Sequence, residues 1–243
     1  MSSSSQSSGI GRYTDKLEET VIALILGAMT MITFVNVVLR FASKQETGRV
    51  WLDYLGLPGG LQWGLEATSI LFAWLVLFGM AYCVKITAHL GVDSVTNLFS
   101  ARGRRKLALV ATALSIVYAM LLLKGGYDYY ANFANLPATT GHWFPTGFEE
   151  MKPTSYRSWY EMDRIKMFEW LRFIEPMINE GEAYNKIPRF LPYTILPIGT
   201  ALLLFRLVQA FMQLARGTRE TLIVSHEAED DVKEVAAKAA REE

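Results

Sequence analysis

The chain has 243 residues, is 51% hydrophobic and carries 24 basic and 24 acidic side chains, so it is formally neutral, with a mean hydropathy of +0.18. Neutrality excludes a global field that would gather nucleic acid, and the single cysteine, Cys83, excludes a disulfide framework or a thiolate metal cluster. The apolar residues collect in blocks almost free of charge, each near the ~20 helical residues needed to cross about 30 Å of hydrocarbon.

Residues 1–9 are almost all serine and are expected to be disordered, within a cytoplasmic amino terminus of residues 1–19. The first apolar block, about 20–39, holds no charge and is too long for the apolar region of a signal peptide, so it is expected to be retained as a span. Asn36, its only strongly polar residue, suits either a helix–helix hydrogen bond or a place near the interface. The segment 40–62 carries Trp51, Tyr54 and several leucines and ends in Leu57-Pro58-Gly59-Gly60, which suits a piece lying along the membrane surface.

The second span is placed at about 65–84, with Glu66 at its start and Lys85 past its end. The third is placed at 107–126, where Lys124 can snorkel and the helix can continue towards Tyr130. The fourth, 191–212, contains Pro192 and Pro197, both tolerated near a helix end. The sequence therefore predicts an all-α membrane protein with four transmembrane helices plus interfacial amphipathic helices. Its membrane domain spans residues 20–215 and is followed by a charged tail, 216–243, that reads as a solvated helix.

Lysine and arginine bias sets the orientation. The connection after the second span carries Lys85, Arg102, Arg104, Arg105 and Lys106 against one acid, Asp93, and the two chain ends add Arg12, Lys16, Arg216 and Arg219. Both termini are therefore expected in the cytoplasm. The loop 131–190 then lies on the other side. Its first half is rich in proline and glycine. In its second half Ser158 and Glu161 have capping-box spacing, and Trp159, Met162, Ile165 and Phe168 recur every third residue, which predicts a helix closed by Pro176. That helix either rests on the membrane or a neighbour, or docks an extracytoplasmic protein.

No catalytic or metal pattern is found, and no cofactor is expected. Of the histidines, His89 lies near a span end while His142 and His226 lie in a loop and a tail, which disfavours a haem held between spans. The spans also lack the charged midplane groups usual in a carrier's substrate site. Gly27, Ala28, Gly79 and Gly199 offer small surfaces to another helix. A scaffold subunit is the reading these features favour. The alternatives are a membrane anchor of a respiratory enzyme, which a Soret band would reveal, and a self-sufficient small carrier, which would transport alone in liposomes.

Three stretches carry a family resemblance: Trp63-Gly64-Leu65-Glu66 with Leu71 to Gly79 around Trp74, then His89-Leu90-Gly91-Val92-Asp93, then Tyr193 to Gly199 with Pro197 and, later, Arg206. In this order they resemble the small membrane subunit of the tripartite ATP-independent periplasmic (TRAP) transporters, the DctQ family, over roughly residues 15–215. The resemblance implies a non-catalytic subunit of the bacterial inner membrane that pairs with a large permease subunit carrying the substrate and sodium sites. It also implies a periplasmic binding protein that delivers an organic acid. Membrane lipid is the remaining expected partner, and nucleic acid is not expected. Trp63, Glu66, Trp74, Gly79, His89, Asp93, Pro197, Gly199 and Arg206 become candidates for the partner interface, and Trp159, Met162, Ile165 and Phe168 for periplasmic docking. From the residues alone, Glu66 suits a cap on its own helix or a partner's cation. His89 and Asp93 lie one turn apart, so either they pair or Asp93 caps a short surface helix from Ser94 to Phe99. Arg206 suits snorkelling or a permease carbonyl. The loop before the fourth span is longer than in many family members.

Overall fold

Apolar runs of helix-forming residues, flanked by lysine and arginine that reach back to the interface, produce long helices. A computed structural model describes residues 9–86, 100–137, 139 and 156–218. In order they form α1 (Gly9–Lys44), α2 (Glu46–Tyr54), α3 (Gly64–Lys85), α4 (Ala101–Phe133), β1 (Glu161–Lys166), a 3-10 helix (Glu169–Ile174), α5 (Glu175–Ile178), β2 (Lys186–Pro188), α6 (Phe190–Tyr193) and α7 (Ile195–Arg216). Among the described residues four helical stretches are long and apolar enough to cross a membrane: Glu18–Lys44, Gly64–Lys85, Arg102–Phe133 and Phe190–Arg216. The architecture is that of an all-α membrane protein; among the described residues one two-stranded antiparallel hairpin, β1–β2, is the exception.

The helices overrun their apolar blocks. α1 begins at Gly9, and α4 takes in the basic run 102–106 at one end and continues past Gly125 and Gly126 at the other. The fourth span absorbs its prolines by breaking at Thr194. Pro192 lies in α6 and Pro197 in the first turn of α7, where a missing N–H costs no ladder bond.

The chain divides into two compact units, residues 1–79 with 121–201, and residues 80–120 with 202–243. In the first, the core gathers Phe133, Ala134, Met167, Ile174, Tyr184 and Phe190. In the second, small residues let helices approach closely: Ala81, Val84, Ala119, Leu203, Leu207 and Ala210 are buried together. There α7 ends on Gly217, whose φ is +77°. The Thr218 and Gly217 N–H groups donate to the carbonyls of Gln213 and Leu214, the pattern of a Schellman cap. Arg105 of α4 donates from Nε to the Leu214 carbonyl at 2.9 Å and from Nη2 to that of Ala215 at 2.7 Å. A residue that entered the orientation argument only as charge is thus a cap for another helix.

Lys124 has partners within the chain: its Nζ donates to Asp128 Oδ2 and to Thr139 Oγ1, both at 2.7 Å, and the Thr139 N–H in turn donates to Asp128 Oδ1 at 2.8 Å. One expectation for local structure is corrected. The helix expected after Ser158 is absent, and β1 occupies its place. Residues three apart drift about 60° per step around a 3.6-residue helix, so Trp159, Met162, Ile165 and Phe168 would have spread over half its circumference rather than forming a stripe. Glu161 is not the far half of a capping box, because its Oε1 accepts the N–H groups of Asn185 and Lys186, 2.6 and 3.2 Å away, at the start of β2.

Candidate functional site

Glu66 stands in the first turn of α3, where the preceding chain delivers it through the turn Pro58–Gln62. That turn is fastened to the first span, since the Leu61 N–H donates to Asn36 Oδ1 at 2.8 Å. The lone polar residue of the first span is therefore committed to a backbone group of this chain. Gly60 permits the approach: a Cβ there would meet Arg40 Cγ at 3.0 Å and Asn36 Oδ1 at 3.4 Å.

With α3 so placed, the Glu66 carboxylate accepts three consecutive backbone N–H groups of β1. Oε1 takes that of Asp163 at 2.7 Å, and Oε2 takes those of Arg164 at 2.9 Å and Ile165 at 3.1 Å. In a regular strand adjacent N–H groups point to opposite sides. Here the pairing with β2 is irregular between Glu161 and Lys166, and the bulged backbone turns successive donors towards one anion, as a nest does. In this structure the Glu66 carboxylate binds the loop of its own chain.

The hairpin is braced from behind. Tyr184, buried at 2% exposure, donates its hydroxyl to the Ser158 carbonyl at 2.7 Å. Burial, with the Glu161 and Glu175 carboxylates nearby, pushes this phenol up to about 12. Glu175, also buried, accepts from Arg172 Nη1 at 3.0 Å and from the Tyr184 N–H at 3.1 Å. Arg172 bonds Glu169 on its other side, and that hydrogen bond holds the Glu169 carboxyl below its ordinary value. Arg189 donates to the Glu161 carbonyl at 2.9 Å and reaches Asp163 at 3.5 Å.

The remaining candidates separate by location. The Trp74 indole donates to the Pro192 carbonyl at 3.0 Å, joining α3 to α6. At Gly199 a Cβ would lie 2.7 Å from Leu77 Cβ, so this glycine admits the chain's own α3. Pro197 lies two residues earlier, at the start of α7. By contrast Gly27 and Gly79 have nothing within 4 Å of a built Cβ. Trp63 is exposed, and Arg206 donates to Gln209 Oε1 at 2.9 Å and lies over the Phe205 ring. His89, Asp93 and the helix expected from Ser94 to Phe99 lie outside the described residues. Of the docking candidates, Trp159 and Phe168 are exposed, whereas Met162 and Ile165 are half-buried in or beside the hairpin. Sequence reading missed a stronger exposed group, Trp170, Phe173 and Met177, at 72%, 65% and 77% exposure. Their spacing crosses from a 3-10 helix into α5, which no single period describes.

Among the described residues no group of three or more histidine, cysteine, aspartate or glutamate side chains could hold a metal ion. What the fold and this site define is a multi-pass helical membrane protein in which a carboxylate at the head of one span holds a folded loop.

The family model for the DctQ component of tripartite ATP-independent periplasmic transporters matches residues 29–148. A C4-dicarboxylate TRAP transporter small permease protein from Vibrio cholerae is 39% identical over 230 residues, covering 95% of this chain and 84% of that protein. The Pseudomonas aeruginosa protein of the same description is 37% identical over 133 residues, covering 49% of this chain and 63% of the relative. One from Rhodobacter capsulatus is 27% identical over 145 residues, covering 53% and 64%. The chain belongs to the DctQ family of TRAP transporter components, and its place is among transport proteins rather than enzymes.

Proposed function

We propose that the chain is the small, non-catalytic subunit of a sodium-coupled TRAP transporter for C4-dicarboxylates, and that it scaffolds the large permease subunit in the bacterial inner membrane. The observation that carries this reading is how little of its spans the chain buries: 6%, 11%, 11% and 33% of the four apolar windows, in chain order. Helices so bare, with the small residues Gly27 and Gly79 open, suit a surface completed by another membrane protein. The C4-dicarboxylate assignment follows the description of the Vibrio cholerae relative. In this reading both termini are cytoplasmic, and the loop 131–190 faces the periplasm and meets a binding protein through Trp159, Phe168, Trp170, Phe173 and Met177.

Co-expression with the large permease subunit, affinity capture in detergent and reconstitution test this. The two chains should co-purify, and succinate uptake should require both chains, the binding protein and an inward sodium gradient. Failure to co-purify overturns the scaffold reading, and uptake by this chain alone overturns its non-catalytic status. Replacing Trp170, Phe173 and Met177 together by serine should lower uptake at limiting binding protein while leaving co-purification intact.

A further inference from the structure

We propose that the surface between α3, β1 and α6 binds one anionic phospholipid, its acyl chain along an apolar groove and its phosphate at Arg164 and Lys166. The groove has a volume of about 1030 Å³ and is walled by Trp63, Leu71 and Trp74 of the α3 side and by Ile187, Leu191 and Pro192 opposite. It adjoins a second, more polar pocket of about 840 Å³, and the two share the turn Pro58–Gln62 in part and Arg164. One continuous depression is thus apolar along its length and polar at one mouth.

The charges at that mouth are mixed, with basic side chains in excess. Arg40 lines the polar pocket, Lys166 the groove and Arg164 both, and none of the three forms an ion pair among the described residues. Of the two acids close by, Asp163 is paired with Arg189, and Glu66 keeps its charge while accepting three backbone N–H groups. Arg40, Arg164 and Lys166 against that one carboxylate leave the mouth net positive, and a lipid phosphate supplies the complementary charge.

The depth of the groove distinguishes a lipid from a helix of a partner. Along α3 its wall runs from Trp63 to Trp74, about 16 Å at the helical rise. That is half of a hydrocarbon core of about 30 Å, the depth of one leaflet. The Trp74–Pro192 hydrogen bond joins the two walls at the far end. A transmembrane helix of another subunit would need a strip along the whole span, whereas an acyl chain ends within its own leaflet. The tryptophans suit the same boundary, where amphipathic rings are favoured.

The test is native mass spectrometry of the full chain released from nanodiscs of phosphatidylglycerol or of phosphatidylcholine, with parallel capture of the large permease subunit. The wild type should retain one phosphatidylglycerol and little phosphatidylcholine, and soluble glycerol phosphate should not displace it. R164A/K166A should lower phosphatidylglycerol retention about 30-fold, since each basic side chain at an anionic lipid is worth roughly a factor of five, while R164K/K166R should retain it. Ala67→Trp, which fills the groove, should abolish retention. Equal retention of both lipids, displacement by glycerol phosphate, or full retention by R164A/K166A overturns the proposal. So does an Ala67→Trp protein that keeps its lipid but no longer captures the large subunit, because the groove would then be that subunit's seat.

Discussion

Replacing Glu66 by glutamine should loosen β1 from α3 without unfolding the spans. Three N–H groups converge on the carboxylate, and hydrogen bonds to a charged acceptor contribute about 1.5–3 kcal/mol each when no water replaces them. The Asp163 and Arg164 bonds are exposed, so water recovers most of their energy; the Ile165 bond is partly buried, so its weakening when the charge is removed is the larger loss. Glutamine keeps one oxygen acceptor but turns an NH₂ towards a backbone donor, which adds a small repulsion. A net loss of about 2–3 kcal/mol corresponds to roughly 30- to 150-fold faster local opening. Hydrogen–deuterium exchange of the protein in nanodiscs, followed on peptides covering 161–166, reads this directly. The acceleration should be confined to the hairpin, with α4 and α7 unchanged, and Glu66→Asp should fall between the two. Exchange at 163–165 equal to the wild type, or an acceleration spread evenly over all helices, would refute the nest as the joint between span and loop.

Three further outcomes follow from close contacts elsewhere. Gly199→Ala forces a Cβ against Leu77 Cβ and should destabilise the detergent-solubilised protein by about 1–3 kcal/mol; in a double-mutant cycle Leu77→Gly, but not Leu77→Ala, should show strong favourable coupling, because only glycine removes the clashing atom. Arg105→Ala should uncap α7 at a cost of about 1–2 kcal/mol, read as roughly 5- to 30-fold faster exchange in its last turn, with Arg105→Lys intermediate. Tyr184 has a raised folded-state value, so its contribution is complete below the ordinary phenol range near about 10 and is lost as pH climbs towards about 12. Tyrosinate absorbance should show one late-titrating phenol whose ionisation coincides with loss of the hairpin's exchange protection, and Tyr184→Phe should remove that coincidence.

The spans were legible because a charge-free apolar run of span length has few other uses, and their ends moved only where basic residues and glycines continued the helix. The loop was not legible for a different reason. Its fold depends on carboxylates meeting backbone groups far away in sequence: Glu66 meets β1 across most of a hundred residues, and Glu161 meets β2. Backbone donors carry no sequence signature, so a three-residue recurrence in Trp159, Met162, Ile165 and Phe168 imitated a helix. Asn36 was visible as the one polar residue of its span, and its commitment to Leu61 fits the rule that polar groups at such depth find partners. Gly199 was recognised as a site of close approach, but a lone glycine cannot say which helix approaches; Leu77 of the same chain does.

Because Glu66 grips backbone amides and no side chain, the joint is indifferent to what residues 163–165 are, provided that none is proline, which has no N–H to donate. One carboxylate at the head of a span can therefore carry many differently sequenced hairpins. The exposed face of the hairpin is free to diversify while its mounting on the membrane helix stays the same. Grafting a foreign hairpin onto this scaffold would require matching three amides in space, and no particular sequence.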